Sequence, residues 1–386
     1  MATTVPLSGV QYSGIWTMQQ VNAAVAAGTW TGLPQLYSWG NGTAGALGLG
    51  STAYKSSPNQ IGALTTWLTI AGGYQFTAAI KTDGTLWTWG KNNYGQLGLN
   101  NTTSYSSPKQ VGALTAWASL GLGSDFMLAT KTDGSLWSWG RNQDGALGLN
   151  NITSYSSPKQ VGALTTWSSV SASGSSTFAI KTDGTLWSWG FSGTFYGMLG
   201  LGNTTAYSSP KQIGALTTWS KVSAGDIFAA AIKTDGTLWT WGGNPDGQLG
   251  LGNITYFSSP KQVGALTTWA TLGNYLYSAV TAIKTDGTLW TWGNNTYGQL
   301  GLGNVTSYSS PKQVGALTTW SKVQCGFGKN IASKTDGTLW SWGAGNYGML
   351  GLGNTTSYSS PKQIGSLTTW SRVSGGLYHV LAIATT

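Results

Sequence analysis

The side chains that could do acid–base or nucleophilic chemistry are few in this chain. Its 386 residues include one histidine, His379, one cysteine, Cys325, and no glutamate. This inventory excludes most catalytic triads and histidine-rich metal sites, because each needs several such groups close together. It also excludes an internal disulfide. We therefore predict a protein that is not an enzyme and that needs no metal or cofactor.

Aspartate is the remaining candidate for catalysis, and its positions favour a structural role. Six of the ten acidic residues stand in a repeated Lys-Thr-Asp-Gly sequence, which is typical of a turn. The other four are Asp125, Asp144, Asp226 and Asp246. Paired carboxylates can hydrolyse a glycosidic bond, so a hydrolase stays an alternative, but turn formation is the preferred interpretation.

The net charge of +9 suggests nucleic acid as a partner, but the distribution of lysine argues against it. Six lysines precede the turn aspartates by two positions and six follow Ser-Ser-Pro, so the excess is spread around the chain. Only Arg141 and Arg372 supply arginine, which phosphate recognition favours. No stretch is apolar enough for membrane insertion, and residues 1–10 lack a secretory signal, so we expect synthesis in the cytoplasm.

The elements that position these residues follow a repeat of about fifty residues. Within residues 217–263, two apolar runs flank Thr-Asp-Gly-Thr, a pattern that predicts a hairpin with a type I′ turn. The run after the turn ends in Trp-Gly, residues 217–222 before the first apolar run mix polar and apolar positions as a half-buried strand does, and Pro260 marks an outer edge strand. Four short antiparallel strands in each of seven units predict a β-propeller. The Trp-Gly pairs that mark the units begin at Trp39, Trp89, Trp139, Trp189, Trp241, Trp292 and Trp342.

The predicted fold class is all-β, a seven-bladed β-propeller of four-stranded antiparallel blades over residues 34–386. The first unit lacks a strand before Leu36, and residues 381–386 form the kind of apolar run that precedes the turn elsewhere. The N- and C-terminal strands should therefore share one blade, with Tyr37 in place of the usual tryptophan. Residues 1–33 form a separate N-terminal segment, in which residues 18–27 are predicted to be a short helix.

The repeat resembles a known family in several motifs taken together. These are Trp-Gly, Gly-Gln-Leu-Gly at residues 95–98, Pro-Lys-Gln-Val at residues 108–111, and the Asp-Gly hairpin. They resemble the repeats of the regulator of chromosome condensation family over roughly residues 34–386. The resemblance implies a seven-bladed propeller but no single activity, because the family includes a nucleotide exchange factor and many binding modules. Family repeats often carry a histidine after the glycine that follows the first strand, and here only His379 does so.

The N-terminal segment carries a second resemblance. Residues 10–16, the predicted helix and residues 27–30 are similar to the short N-terminal segment of some tailed-phage virion proteins. That resemblance implies a docking segment that contacts other virion proteins, anchored by Tyr12, Trp16 and Trp30. The alternative is a simple cap over one end of the propeller.

Alignment of the units on Trp-Gly places most of their variation in two loops, one before the second strand and one after the third. In an antiparallel blade both loops lie at the same end. They are rich in tyrosine, asparagine and aspartate, which suits recognition of sugars or proteins. The alternative is that the loop sequences vary only because little constrains them. The predicted ligand-binding residues are Tyr74, Asn92, Tyr94, Asn142, Asp144, Tyr196, Asn244, Asp246, Tyr275, Tyr297, Tyr347 and Tyr378.

The sequence therefore supports one leading hypothesis and two alternatives. The leading hypothesis is a non-enzymatic phage virion protein, a tail, fibre or capsid-surface component in multiple copies per particle. Its variable loops would contact a host-surface glycan or protein. One alternative is an intracellular propeller that promotes guanine-nucleotide exchange on a small GTPase, which predicts an insertion that the near-uniform units lack. The other is a free carbohydrate-binding lectin.

Overall fold

The computed structural model describes residues 33–63, 66–273 and 278–385. Within these ranges the chain forms seven four-stranded antiparallel sheets and two short 3-10 helices, Thr43–Gly45 and Asn346–Gly348. This architecture confirms the predicted all-β, seven-bladed propeller. The predicted helix at residues 18–27 and the proposed docking residues Tyr12, Trp16 and Trp30 lie outside the described residues. No helix in the described ranges is long and apolar enough to cross a membrane.

Each sheet is one blade, and blade 1 is the blade that contains the N-terminal strand. In blades 2 to 7 and then blade 1, the inner strands are β3 (Trp67–Gly72), β7 (Trp117–Leu122), β11 (Trp167–Ser173), β15 (Trp219–Ala224), β19 (Trp269–Leu272), β23 (Trp320–Gly326) and β27 (Trp370–Gly375). The second strands are β4 (Phe76–Lys81), β8 (Phe126–Lys131), β12 (Ser176–Lys181), β16 (Phe228–Lys233), β20 (Ala279–Lys284), β24 (Lys329–Lys334) and β28 (His379–Thr385). The third strands are β5 (Leu86–Gly90), β9 (Leu136–Gly140), β13 (Leu186–Gly190), β17 (Leu238–Gly242), β21 (Leu289–Gly293), β25 (Leu339–Gly343) and β1 (Pro34–Gly40). The outer strands are β6 (Tyr105–Gln110), β10 (Tyr155–Gln160), β14 (Tyr207–Gln212), β18 (Phe257–Gln262), β22 (Tyr308–Gln313), β26 (Tyr358–Gln363) and β2 (Lys55–Gln60).

Blade 1 closes the ring in the predicted way. Its strand order is β2-β1-β28-β27, and β1 pairs with β28 from Pro34 opposite Thr385 to Gly40 opposite His379. Tyr37 occupies the position of a tryptophan in the other blades, and its ring lies edge-on to Trp370 with centroids 5.4 Å apart. The shared blade removes the open edges that an unclosed ring of sheets would leave.

The tryptophans of the Trp-Gly pairs link adjacent blades. All seven are completely buried. Each indole N–H donates a hydrogen bond to a backbone carbonyl in the loop of the preceding blade. Trp89 donates to Ala46 O at 3.0 Å and Trp241 to Met198 O at 2.9 Å. These contacts pack each tryptophan between two blades, and they fix the loops that receive the hydrogen bonds.

The Lys-Thr-Asp-Gly hairpins form, but their turn type differs from the prediction. Gly84 has a φ of 76°, whereas Asp83 is not in the left-handed region, so the type I′ assignment is wrong. Gly84 N–H donates to Lys81 O at 2.9 Å, which is a type I turn followed by a left-handed glycine. The Asp83 carboxylate accepts hydrogen bonds from the N–H and hydroxyl of Thr85 at 2.9 and 2.6 Å. These side-chain hydrogen bonds stabilise the turn in this form.

The strand directions give the propeller two faces. The hairpin face carries the Lys-Thr-Asp-Gly turns, together with the connections from each outer strand to the next blade. The variable face carries the loops between inner and second strands and the loops between third and outer strands. Inner strands of neighbouring blades contact one another around the whole ring, so they surround the central axis.

Candidate ligand-binding face

The two variable loops of a blade are joined by hydrogen bonds between their backbones. Lys91 N–H, which follows the third strand of blade 2, donates to Gln75 O before the second strand at 2.9 Å. Equivalent hydrogen bonds join Arg141 to Asp125 and Ala344 to Gly328. The loops therefore lie at one end of the blades, where antiparallel pairing was expected to place them.

Six aromatic side chains form a continuous cluster on this face, which we call the aromatic arc. The arc extends through neighbouring blades, from the loop after β21 to the loop after β3. Successive ring centroids are 5.4 to 6.3 Å apart, mostly in edge-to-face geometry. Three of the rings are well exposed, at 61% for Tyr54, 47% for Tyr347 and 39% for Tyr297. The members of the arc are Tyr54, Tyr74, Tyr297, Phe327, Tyr347 and Tyr378.

Beside the arc lies a charged cluster in blades 2 and 3, which we call the polar sector. Lys91 Nζ is 2.9 Å from the buried carboxylate of Asp125, and Arg141 Nη1 is 3.9 Å from the same carboxylate. Tyr94 lies between the two cations, with its ring centroid 5.9 Å from Lys91 Nζ and 5.4 Å from Arg141 Cζ. Lys91 Nζ is also 5.7 Å from the ring of Tyr74, which connects the polar sector to the arc.

Three of the predicted ligand-binding residues have another role. Asn92, Asn142 and Asn244 are fully buried, so their side chains face the interior of the loop rather than its surface. Asn92 Nδ2 donates to the carbonyls of Asn101 and Thr103 at 3.1 and 2.9 Å, and its Oδ1 accepts from Leu97 N–H at 2.9 Å. Asn142 and Asn244 make the same hydrogen bonds in blades 3 and 5. These side chains hold the loop after the third strand, because they satisfy backbone groups that no strand pairs.

The other predicted residues outside the arc and the polar sector are more dispersed. Asp144 lines a shallow pocket with Ser124, Arg141 and Ser175. Tyr196 packs edge-on against Tyr256 at 5.4 Å. Asp246 accepts a hydrogen bond from Asn294 Nδ2 at 3.0 Å in blades 5 and 6, and Tyr275 lies outside the described residues. The structure therefore brings Tyr74, Tyr94, Tyr297, Tyr347 and Tyr378 together, and it leaves Tyr196 and Asp246 apart from them.

Comparison with known families shows what the repeat is. The sequence profile of the regulator of chromosome condensation (RCC1) repeat matches residues 35–80, 83–130, 133–180, 183–232, 235–275, 286–330 and 336–383. The chain belongs to the RCC1-repeat family. A second profile of the same repeat matches residues 68–96, 117–146 and 219–248.

Several solved structures share the fold. Prp20p from Saccharomyces cerevisiae has a TM-score of 0.81 at 19% identity, with 92% of this chain and 93% of that chain covered. Human WBSCR16 has a TM-score of 0.81 at 21% identity, with 92% and 99% covered. Yeast RCC1 (Prp20), in a structure with Kap60, has a TM-score of 0.82 at 17% identity, with 100% and 97% covered. A search of curated protein sequences gives no match. At these identities the structures establish the fold alone.

The junction of blades 7 and 1, which we call the seam, has two buried titratable residues where three other blades have phenylalanine. The second strand begins with Phe76, Phe126 and Phe228 in blades 2, 3 and 5, but with Lys329 in blade 7 and His379 in blade 1. Lys329 was not among the site residues predicted from the sequence. Alignment of the second strands on their first residue would have shown it, because a lysine is the one long cation among apolar and small residues there.

Lys329 supports the loop that presents Tyr378 of the arc. Its Nζ donates hydrogen bonds to the carbonyls of Gly376 and Leu377, both at 2.8 Å. Burial lowers the pKa of the Lys329 amine to about 7, although the nearby Cys325 opposes this effect. Lys329 is 1% exposed, so its contacts are with the protein rather than with a ligand on the surface.

His379 is a neutral structural histidine. Its Nε2 is 2.9 Å from Thr77 Oγ1, and the Thr77 hydroxyl donates to Ala46 O at 2.9 Å. The hydroxyl proton is thus engaged, so Nε2–H is the donor to Thr77. Burial, assisted by the nearby Lys329, lowers the pKa of His379 to about 3, so the imidazole is uncharged at neutral pH.

The arrangement as a whole suits binding. Aromatic edges, phenol hydroxyls and a charged cluster are presented on a rigid scaffold, which is the composition of many recognition surfaces. Among the described residues no group of three or more His, Cys, Asp or Glu side chains could hold a metal ion. The buried lysine, histidine and cysteine near the seam are occupied in packing the loops.

Proposed function

We propose that this RCC1-repeat protein is a non-enzymatic binding protein that recognises its ligand with the aromatic arc and the adjoining polar sector. The observation that carries the proposal is the continuity of the arc. Six rings supplied by separate loops meet on one face, and Tyr54, Tyr297 and Tyr347 remain substantially exposed. Exposed aromatic clusters of this kind are enriched at sites of recognition.

The chemistry of the face favours a glycan or a glycan-bearing surface as the ligand. Flat rings offer apolar area at low entropic cost, and Lys91, Arg141 and Asp144 offer donors and acceptors for hydroxyl groups. Protein ligands use the same combination, and they form the other outcome of the test below.

We further propose that the protein is displayed on a phage particle in multiple copies, docked to other virion proteins through residues 1–33. One geometric observation supports this arrangement. Pro34 opens β1 opposite Thr385, whereas Gly40 at its other end lies beside the variable loops. The N-terminal segment is therefore attached at the hairpin face, and docking there would leave the variable face directed outward.

Binding to a glycan array and to host envelope preparations tests the first proposal. The informative variant is Tyr54→Ala/Tyr347→Ala, which removes two exposed rings of the arc. Tyr256→Ala is the matched control, because Tyr256 precedes β18 as Tyr54 precedes β2 and is also exposed, at 41%. We expect the double variant to lose binding by about tenfold or more and the control to retain it. Equal binding by all three proteins would contradict the proposal.

Two experiments test the particle assignment. Virions that assemble normally and retain a chain lacking residues 1–33 would contradict the docking role. A nucleotide-release assay addresses the alternative that follows from the family, since the Prp20p structure is described together with binding to Gsp1p and histones. We expect no acceleration of GDP release from a small GTPase, and acceleration would favour an intracellular regulator.

A further inference from the structure

One position of the inner strands varies in a way that the fold does not require. It is the second residue after the tryptophan that begins each inner strand. Every blade has either a hydroxyl-bearing or a basic residue there, and no blade has an acidic one. In blades 2 to 7 and then blade 1 the residues are Thr69, Ser119, Ser169, Lys221, Thr271, Lys322 and Arg372.

This position lies around the central axis near the hairpin face. The preceding tryptophan pairs with the lysine that enters the hairpin, as Trp219 does with Lys233, and Lys221 pairs with Ile232. Because the inner strands contact one another around the whole ring, the seven positions surround the axis. We call this ring of seven positions the axial mouth.

The basic residues of the axial mouth come from blades 5, 7 and 1. Lys221, Lys322 and Arg372 are all exposed. The Lys221 amine donates to Ala270 O and the Lys322 amine donates to Ser371 O, so each reaches the inner strand of the next blade. Both ammonium groups are therefore held along the ring rather than extended into solvent.

The positive charges of the axial mouth have no acidic counterpart. In the described part of the chain the ion pairs involve Asp125 on the variable face, and none reaches Lys221, Lys322 or Arg372. Burial lowers the pKa of Lys322, and the like charge of the nearby Arg372 lowers it further. The hairpin carboxylates on the same face each accept hydrogen bonds within their own turn.

We infer that the axial mouth is a binding site for a phosphate-type oxyanion. Three cations on the inner strands of blades 5, 7 and 1 can balance a group with two or more negative charges, which a single lysine cannot do. The Arg372 guanidinium can donate two parallel hydrogen bonds to two oxygens of such a group. Thr271 stands between Lys221 and Lys322 in the ring and adds a hydroxyl at the same level. The site is on the opposite face from the aromatic arc and does not depend on the function proposed for it.

The test is isothermal titration calorimetry of the full chain at low ionic strength. Inorganic pyrophosphate represents a free oxyanion, and glucose 6-phosphate represents a phosphate carried by a larger ligand. We expect one site per chain, and tighter binding of glucose 6-phosphate would assign the site to an esterified phosphate. Absence of binding for both compounds would overturn the inference.

Matched variants distinguish a specific oxyanion site from nonspecific attraction of anions to a basic protein. Lys322→Gln/Arg372→Gln should weaken binding about tenfold or more. Lys109→Gln/Lys159→Gln makes the same change in net charge on two outer strands and should weaken it by less than about twofold. Equal weakening by both pairs would show attraction to net charge alone and would contradict the site.

A second measurement distinguishes loss of the site from loss of the fold. Pyrophosphate should raise the Tm of the wild-type protein, because a ligand that binds the folded state stabilises it. Arg372→Gln should not lower the Tm without ligand, because it removes a like-charge neighbour of Lys322. In that variant the rise on adding pyrophosphate should be much smaller, and an unchanged rise would overturn the role of Arg372.

Discussion

The hairpin face and the variable face are built by the same seven blades, yet they differ in how many residues of each loop the fold requires. In a hairpin, almost every position has a structural task, since Asp83 holds Thr85 and a Cβ on Gly134 would lie 2.0 Å from Thr165 O. In a variable loop, structure fixes the two ends, a buried asparagine such as Asn92 and the carbonyl that the next blade's tryptophan contacts, whereas other positions such as Tyr94 are exposed. The difference indicates where function can be added without harm to the fold.

The largest effect should come from the anchor of a variable loop. Trp241→Ala removes a fully buried ring and the hydrogen bond to Met198 O, so we expect a loss of about 3–5 kcal/mol in the free energy of unfolding. Phe195→Ala, at a side chain 77% exposed on the same face, should change it by less than about 0.5 kcal/mol. Urea unfolding measures both, and similar losses would remove the distinction between anchors and free positions.

The next effect concerns the hairpin face. Gly134→Ala combines a left-handed backbone, with a φ of 79°, and a clash with Thr165 O, so we expect a loss of about 3 kcal/mol or more. Gly162→Ala is the control, because its φ is 62° and nothing lies within 4 Å of the added Cβ. The control should cost about 1–2 kcal/mol. If the two variants have equal stability, close packing does not explain why the hairpins are constant.

A smaller effect separates two residues of one variable loop. Asn92→Ala leaves the N–H of Leu97 and two carbonyls without their partner, and should cost about 1–3 kcal/mol. Tyr94→Ala, at a ring 38% exposed, should cost less than about 1 kcal/mol. Thermal unfolding at one pH compares them. A larger loss for Tyr94→Ala would mean that the polar sector is structural rather than available to a ligand.

The smallest effect is a pH dependence at the seam. The pKa of His379 is about 3 in the folded protein against 6.5 as its ordinary value, so below pH 6.5 the unfolded chain binds a proton that the folded protein does not. Protonation of His379 in the unfolded chain therefore lowers the free energy of unfolding as the pH falls from 6.5 towards 3. The decrease is up to about 1.4 kcal/mol over the first pH unit.

Replacement of the single histidine isolates that contribution. His379→Phe introduces the residue found at this position in blades 2, 3 and 5, and its stability should fall less steeply than that of the wild type between pH 6.5 and 5.5. The aspartates titrate in both proteins, so the difference between the two curves belongs to His379. Parallel curves would show that the histidine does not carry a depressed pKa.

The sequence predicted the features that depend on spacing. The Trp-Gly interval gave the seven blades and the shared blade 1, and strand direction placed the variable loops at one end. These inferences succeed because antiparallel pairing leaves little freedom once the strands are located.

The features that the sequence did not predict depend on burial and on three-dimensional proximity. Asn92, Asn142, Asn244 and Asn295 recur at one position in four units, which was a signal of a structural role, yet only the hydrogen bonds show that these side chains are buried. The aromatic arc joins Tyr54 to Tyr347, residues from opposite ends of the sequence, through ring closure. Spacing within one repeat carries no information on such contacts.

The central claim is that the variable face, and not the hairpin face, contacts the ligand. Two single-cysteine labels in blade 7 test it most directly, because the native Cys325 is buried and burial raises its pKa to about 12, so it should not react. Asn346→Cys is next to Tyr347 on the variable face, and Thr335→Cys is on the hairpin face, both at exposed positions.

Each variant is coupled to a maleimide-linked polyethylene glycol and compared with its unlabelled form in binding to the glycan or host envelope preparation that the wild type recognises. The account predicts that the label at residue 346 abolishes binding and that the label at residue 335 leaves it unchanged. Loss of binding from the label at residue 335, with binding retained at residue 346, would contradict it.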